Sequence, residues 1–190
     1  LVLATAMSFS PGPNTTLSAA LAANGGLRHA MRFVWAVPVG WCLLLLLCAA
    51  GVGGLVVAVP ALRGGIKAVG VAYLLWLAWK LSGSATLGQA AGDKLQISFR
   101  QGVALQFVNI KAWLLALTII AGWVAGHPDA QQRMAIVSPV MLFFAFASNL
   151  FYALVGAVLR SWLAQGKRLL WFNRCMAAIL VLTAAWMLKI

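Results

Sequence analysis

Six apolar stretches dominate this sequence and constrain its fold more than any other feature. They cover residues 1–23, 33–59, 68–87, 102–124, 134–159 and 175–188. A membrane-spanning helix needs about 20 predominantly apolar residues. Only 8% of the 190 residues are charged, against roughly 25% in a soluble domain, so too little polar sequence remains to face water. The pattern predicts an all-α integral membrane protein with six transmembrane helices in one domain, residues 1–190. Because the chain begins with Leu1 rather than Met, we expect further residues before it.

The basic residues predict how the chain lies in the membrane. The formal charge is +12, but Lys and Arg stand singly or in pairs between apolar runs, which argues against a nucleic-acid partner and favours anionic lipid headgroups. The first, third and fifth connectors hold eight Lys and Arg residues and the second and fourth hold three. The positive-inside rule therefore places the odd connectors in the cytoplasm and both termini on the periplasmic side.

The cysteine and histidine pattern is not typical of a redox or metal protein. Cys42, Cys48 and Cys175 lie in apolar stretches and form no CxxC pair, and the two histidines lie in connectors. We therefore expect no metal, no cofactor and no enzymatic activity. A thiol or electron-transfer membrane protein stays an alternative, and so does an assembly subunit that transports nothing.

The segment "SFSPGPNTT", residues 8–16, interrupts the first apolar stretch. Pro11 and Pro13 lack main-chain N–H donors, and Gly12 permits unusual backbone angles, so the helix should break here. Irregular backbone at membrane depth is tolerated only where protein or a wet cavity surrounds it. A new helix starting near Pro13 would present Asn14, Thr15 and free N–H groups, which attract carboxylates. The alternative is a packed kink that binds nothing.

The fourth stretch, in "QFVNIKAW", carries Asn109 and Lys111 at a comparable depth. A charge at the bilayer centre costs at least about 2.5–3.5 kcal/mol. No acidic residue lies in any apolar stretch, so we expect Lys111 to meet backbone carbonyls, water, the interface by snorkelling, or a ligand carboxylate. Because Asn14 and Asn109 occupy similar places in the two halves, the sequence predicts a 3+3 inverted repeat. Asn149 and Tyr152 of the fifth stretch either line a cavity or bond a neighbouring helix.

Together, "SPGPN", "ISFRQGVALQFVNIK" and "AYLLWLAWKLSGS" resemble the LysE/RhtB family of amino-acid exporters, and within it the cysteine and O-acetylserine exporter branch. The resemblance implies efflux of small amino acids or derivatives across a bacterial inner membrane, driven by the proton gradient. It leaves a homodimer open. The family usually has Asn-Pro-Lys in the fourth span. Ile110 replaces that proline, so we expect a less sharp break there.

The substrate site that these polar groups predict comprises Gly12, Pro13, Asn14, Thr15, Asn109, Lys111, Asn149 and Tyr152. Asn14, Thr15 and the new helix N-terminus would hold the carboxylate, Lys111 would be a second anchor or gate, and Asn109 would bond the amino group. Proton relays generally use buried Asp, Glu or His, which the apolar stretches lack. Either Lys111 titrates, or the substrate carries the charge, or transport is uniport or exchange.

Overall fold

Helices make up almost the whole of the described chain. The computed structural model describes residues 2–83 and 95–189, with side chains from Thr5 onward, and has no strand in those ranges. The helices are α1 (Val2–Phe9), α2 (Pro13–Gly25), α3 (Leu27–Ala49), α4 (Val52–Ala58), α5 (Pro60–Ser82), α6 (Phe99–Val108), α7 (Ile110–Ile119), α8 (Ala130–Leu163) and α9 (Arg168–Lys189). A π-helical turn, Ile120–Val124, extends α7.

Several of these helices are long and apolar enough to cross a membrane. Within the described residues, α3, α5, α8 and α9 qualify alone, and α6 with the helix that begins at Ile110 qualifies as a bent pair. The prediction of an all-α membrane protein is therefore confirmed. The first apolar stretch contains two helices, α1 and α2, and the interruption predicted at Pro11 and Gly12 lies between them.

The helices extend beyond the apolar stretches at several ends. Only Gly26, with φ +85°, separates α2 from α3, so α3 begins six residues before the predicted residue 33. Likewise α5 begins at Pro60 rather than at residue 68, and the end of the third stretch, residues 84–87, lies outside the described residues. The added turns carry basic side chains such as Arg28 and Lys67. An apolar stretch ends at the first charged residues, but the helix can continue past that point. Lys and Arg side chains allow this because their long apolar stems let the charged ends reach water.

Helix α2 lies at the centre of the fold. All of its residues from Thr15 to Ala23 are buried, and it packs against α8, α3 and α9. Most of these residues are Ala, Ser or Thr, and small residues let membrane helices approach closely. Gly156 of α8 abuts the carbonyl of Ala19. Around this centre, α5 packs on α9, and α3 packs on α6 and α8.

Gly70 of α5 makes a similar close contact beside the second helix break. A β-carbon built there would overlap the carbonyl oxygen of Val108, the last residue of α6, and lie 3.0 Å from Cε of Met187. The main chain of Val108 cannot yield as a flexible side-chain tip can. Gly65, on the same helix, has open space around it.

We predict that Gly70→Ala lowers the unfolding free energy by about 1–3 kcal/mol, the usual cost of overpacking. Gly65→Ala should leave stability unchanged or raise it, because alanine favours helix by about 1 kcal/mol over glycine. The measurement is the thermal denaturation midpoint of each purified variant in detergent. Equal midpoints for the two variants would contradict the close contact.

Candidate functional site

The first helix break is closed by Gly12 and Thr15. The Gly12 N–H donates to the Thr15 hydroxyl at 3.1 Å, and the Gly12 carbonyl accepts from the Thr16 N–H at 3.0 Å. Among the described residues, the main-chain N–H groups of Asn14 and Thr15 have no hydrogen-bond partner. The N-terminus of α2 therefore presents two free donors together with the positive end of the helix dipole.

The second break lies at Asn109 and is sharp. The two helices on either side of it bend by 67°, so the expectation that Ile110 would soften the break is wrong. Asn109 adopts an extended backbone, with φ −91° and ψ 98°, and its side-chain oxygen accepts from the Lys111 N–H at 3.2 Å. Its carbonyl accepts from the Ala112 N–H at 2.9 Å. An asparagine cap therefore starts α7 without the proline.

Lys111 joins the two breaks. Its ammonium Nζ lies 2.6 Å from Oγ of Ser10 and 3.5 Å from the Ser10 carbonyl oxygen, where α1 ends. The side chain is half-buried. In the described part of the chain the one ion pair is Arg133 with Asp129, so Lys111 faces only neutral oxygens. Of the partners expected for it, the structure shows a backbone carbonyl, and it adds the Ser10 hydroxyl, which was not expected.

Gly12 gives this ammonium its space. The backbone angles of Gly12, φ −173° and ψ −179°, are extended and open to any residue. A β-carbon at this position would lie 3.3 Å from Nζ of Lys111. A side chain at this position would move the lysine tip by a few tenths of an ångström, so the glycine eases the approach of the ammonium, and backbone strain does not require it.

A small polar cavity lies where the two breaks meet. It leaves about 60 Å³ for the centres of water molecules, so it is large enough to hold ordered water. Its polar lining comes from Ser8, Ser10, Asn14, Thr15, Asn109, Lys111, Ser148 and Asn149, and its apolar lining includes Met7, Val37, Trp41, Leu115 and Met141. Seven of the eight expected site residues, all except Tyr152, line this cavity.

Tyr152 and Asn149 hold other helices in place. The Tyr152 hydroxyl donates to the Phe9 carbonyl at 2.9 Å, which fastens the C-terminal end of α1 to α8. Oδ1 of Asn149 accepts from the Ser18 hydroxyl at 2.8 Å, and its Nδ2 donates to the Ala145 carbonyl. Tyr152 therefore positions the first break from outside the cavity, whereas Asn149 both lines the cavity and ties α8 to α2.

The sequence analysis missed Gln106, which is fully buried. Its amide and that of Asn14 exchange two hydrogen bonds, at 2.8 and 3.1 Å, and its Nε2 also donates to the Gly102 carbonyl. Gln106 thus fixes the Asn14 side chain against α6. One signal was available, because a glutamine one turn before Asn109 is costly in an apolar stretch unless it is paired.

We predict that Asn14 and Gln106 are energetically coupled. The variants Asn14→Ala, Gln106→Ala and the double variant should give a coupling free energy of about 0.6–1.7 kcal/mol, the range for paired polar side chains in membrane proteins. The measurement is reversible unfolding in detergent. Asn24→Ala with Gln106→Ala is the control cycle, since Asn24 pairs with Asn173 instead. Additive effects at Asn14 and Gln106 would contradict the pairing.

Comparison with known proteins covers nearly the whole chain. A family model described as LysE type translocator matches residues 5–189. The cysteine/O-acetylserine efflux protein of Escherichia coli is 34% identical over 182 residues, which are 96% of this chain and 91% of that protein. The protein of the same name from Salmonella typhimurium is 32% identical over 178 residues, covering 93% and 89%. No solved structure matches the chain.

Proposed function

This chain belongs to the LysE type translocator family, and on this premise we propose that it exports small neutral amino acids or derivatives across a bacterial inner membrane. Membership makes it a multi-pass membrane transporter rather than an enzyme. The relatives named for cysteine and O-acetylserine efflux align along almost their full length. Their names support a substrate of that type here.

The observation on which the proposal rests is that an ammonium and free main-chain N–H donors line the same cavity. Lys111 and the N–H groups of Asn14 and Thr15 lie at converging helix N-termini. Such termini bind carboxylates. In our proposal the substrate carboxylate lodges between Lys111 and the N-terminus of α2, and side-chain oxygens of Ser148 and Asn149 accept from the substrate ammonium.

The geometry gives Asn109 a different role from the one that the sequence predicted for it. Its Oδ1 already accepts from the Lys111 N–H, and its Nδ2 has no hydrogen-bond partner among the described residues. A free N–H donor suits an anion. We therefore assign Asn109 to the substrate carboxylate rather than to the amino group.

We also propose the six-span topology with inverted halves. The α1–α2 pair and the α6–α7 pair are each broken, and their breaks meet at the same cavity. Interrupted helices in matching places of two inverted halves are typical of transporter sites near the membrane midplane. The distribution of basic residues supports periplasmic termini.

We predict that Lys111→Met reduces export by about 10- to 150-fold, the equivalent of the 1.5–3 kcal/mol for a hydrogen bond to a charged group. Methionine removes the charge and keeps the length of the side chain. Lys67→Met is the control, because Lys67 does not line the polar cavity and, among the described residues, its ammonium makes one long hydrogen bond, to the Leu188 carbonyl at 3.5 Å. The measurement is uptake of labelled O-acetylserine into inside-out vesicles, with protein in the membrane quantified. Undiminished uptake by Lys111→Met would refute the anchor.

The proton gradient is the proposed energy source. The described cavity contains no Asp, Glu or His, so Lys111 is its one ionisable side chain. If protons exchange for substrate, imposing a pH gradient, acidic inside inside-out vesicles, should raise the initial uptake rate several-fold. Collapse of the gradient with a protonophore should remove that increase. Equal rates with and without the gradient would indicate uniport or exchange.

A further inference from the structure

A second cavity lies on the other side of Lys111. Its lining combines Pro11, Gly12 and Lys111 with four residues of α9, namely Ile179, Leu182, Thr183 and Trp186. The space open to the centres of water molecules is about 300 Å³, against 60 Å³ in the first cavity, whereas the total space between the atoms is similar, at about 630 and 530 Å³. We call it the α9 groove. Its lining is mostly apolar, apart from Lys111 and Thr183.

The α9 groove and the polar cavity share two lining residues, Gly12 and Lys111. The lysine side chain forms part of the wall between them. Gly12 contributes no side chain, so at this point the wall is only main chain and the lysine tip. A molecule whose carboxylate contacts the ammonium from the polar side therefore lies next to the wall that the two cavities share.

The two cavities differ in the chemistry of their walls. The polar cavity is lined by the Lys111 ammonium and by hydroxyl and amide groups, whereas the α9 groove adds apolar space beside it. Its apolar walls match an uncharged side chain, as the polar cavity matches the charged head.

We propose that the α9 groove is the side-chain subsite of the transported amino acid, an inference that rests on the proposed function. The substrate carboxylate contacts Lys111, and its side chain passes Gly12 to lie against Ile179 and Thr183. The Thr183 hydroxyl donates to the Ile179 carbonyl at 2.8 Å, and its oxygen stays able to accept from a thiol or hydroxyl. A cationic side chain is rejected, because it would lie beside the Lys111 ammonium in a groove whose lining has no acid.

Two other occupants compete with this assignment. The outer edge of the groove is open, with Leu182 69% and Trp186 45% exposed, so a lipid acyl chain or a second copy of this chain would also fit there. Neither of them pairs with the ammonium in the groove wall, whereas the carboxylate of the substrate does. Gly12 and Lys111, which line both cavities, therefore favour the substrate.

The test changes groove size in opposite directions at one residue. Ile179→Phe fills the groove and Ile179→Ala enlarges it. Val181→Phe and Val181→Ala are the controls, since Val181 is exposed on the same helix and does not line the groove. Each variant is reconstituted in proteoliposomes, and initial export rates are measured for alanine, O-acetylserine, leucine and lysine.

We expect Ile179→Phe to lower the ratio of the O-acetylserine to the alanine rate by about tenfold, the usual effect of a few methylenes in a binding pocket. Ile179→Ala should raise the ratio of leucine to alanine by a similar factor, and the Val181 variants should change neither ratio. If one Ile179 variant fails to reach the membrane, the other still decides the outcome.

Unchanged ratios in the Ile179 variants would overturn the subsite. The subsite would also be overturned if the export rates of all substrates fell equally, which would favour lipid in the groove. A change in oligomeric state without a change in the rate ratios would overturn it in favour of a second copy. Failure of the wild-type protein to export any of the four amino acids would instead refute the proposed function, which separates the two claims.

Discussion

The contact of Lys111 with Ser10 is the interaction on which the rest of the structure depends. It joins two helix breaks that lie 101 residues apart in sequence. Because a buried cation without a partner is costly and the described surroundings hold no carboxylate, neutral oxygens must be brought to it. The end of α1 supplies them. As a result, the N-termini of α2 and α7 face the same cavity, and the donors that each break leaves free are collected at one place.

The position of α2 follows from side-chain pairs that all reach the second half of the chain. Asn14 pairs with Gln106 on α6, Ser18 with Asn149 on α8, and Asn24 with Asn173 on α9. In a membrane, apolar contact alone does not distinguish a neighbouring helix from lipid, so polar pairs and close glycine contacts specify which helices meet. These pairs and the approach of Gly156 to Ala19 set the direction in which the α2 N-terminus points.

Much of the candidate site was predictable because its signals are local. Two prolines around a glycine predict a break, and a lysine among apolar residues predicts a short list of partners that includes backbone carbonyls. The sharp bend at Asn109 was not predictable, because it depends on the asparagine cap and on Gly70 accommodating the Val108 carbonyl from a distant helix. The role of Tyr152 likewise depends on where the end of α1 lies. Helix ends were missed where basic side chains continue a helix past its apolar stretch.

The polar groups of the cavity suit the zwitterion that we propose as its ligand. The described lining holds one cation and no anion. A ligand without a carboxylate leaves the Lys111 ammonium with only the neutral oxygens of Ser10. Such a ligand therefore gains little binding free energy when it displaces water. A simple anion satisfies Lys111 but offers no N–H donor to the Ser148 hydroxyl oxygen, which lines the same cavity. In the proposed binding mode an α-amino acid satisfies both, because its carboxylate pairs with the Lys111 ammonium while its own ammonium, one carbon away, donates to that oxygen.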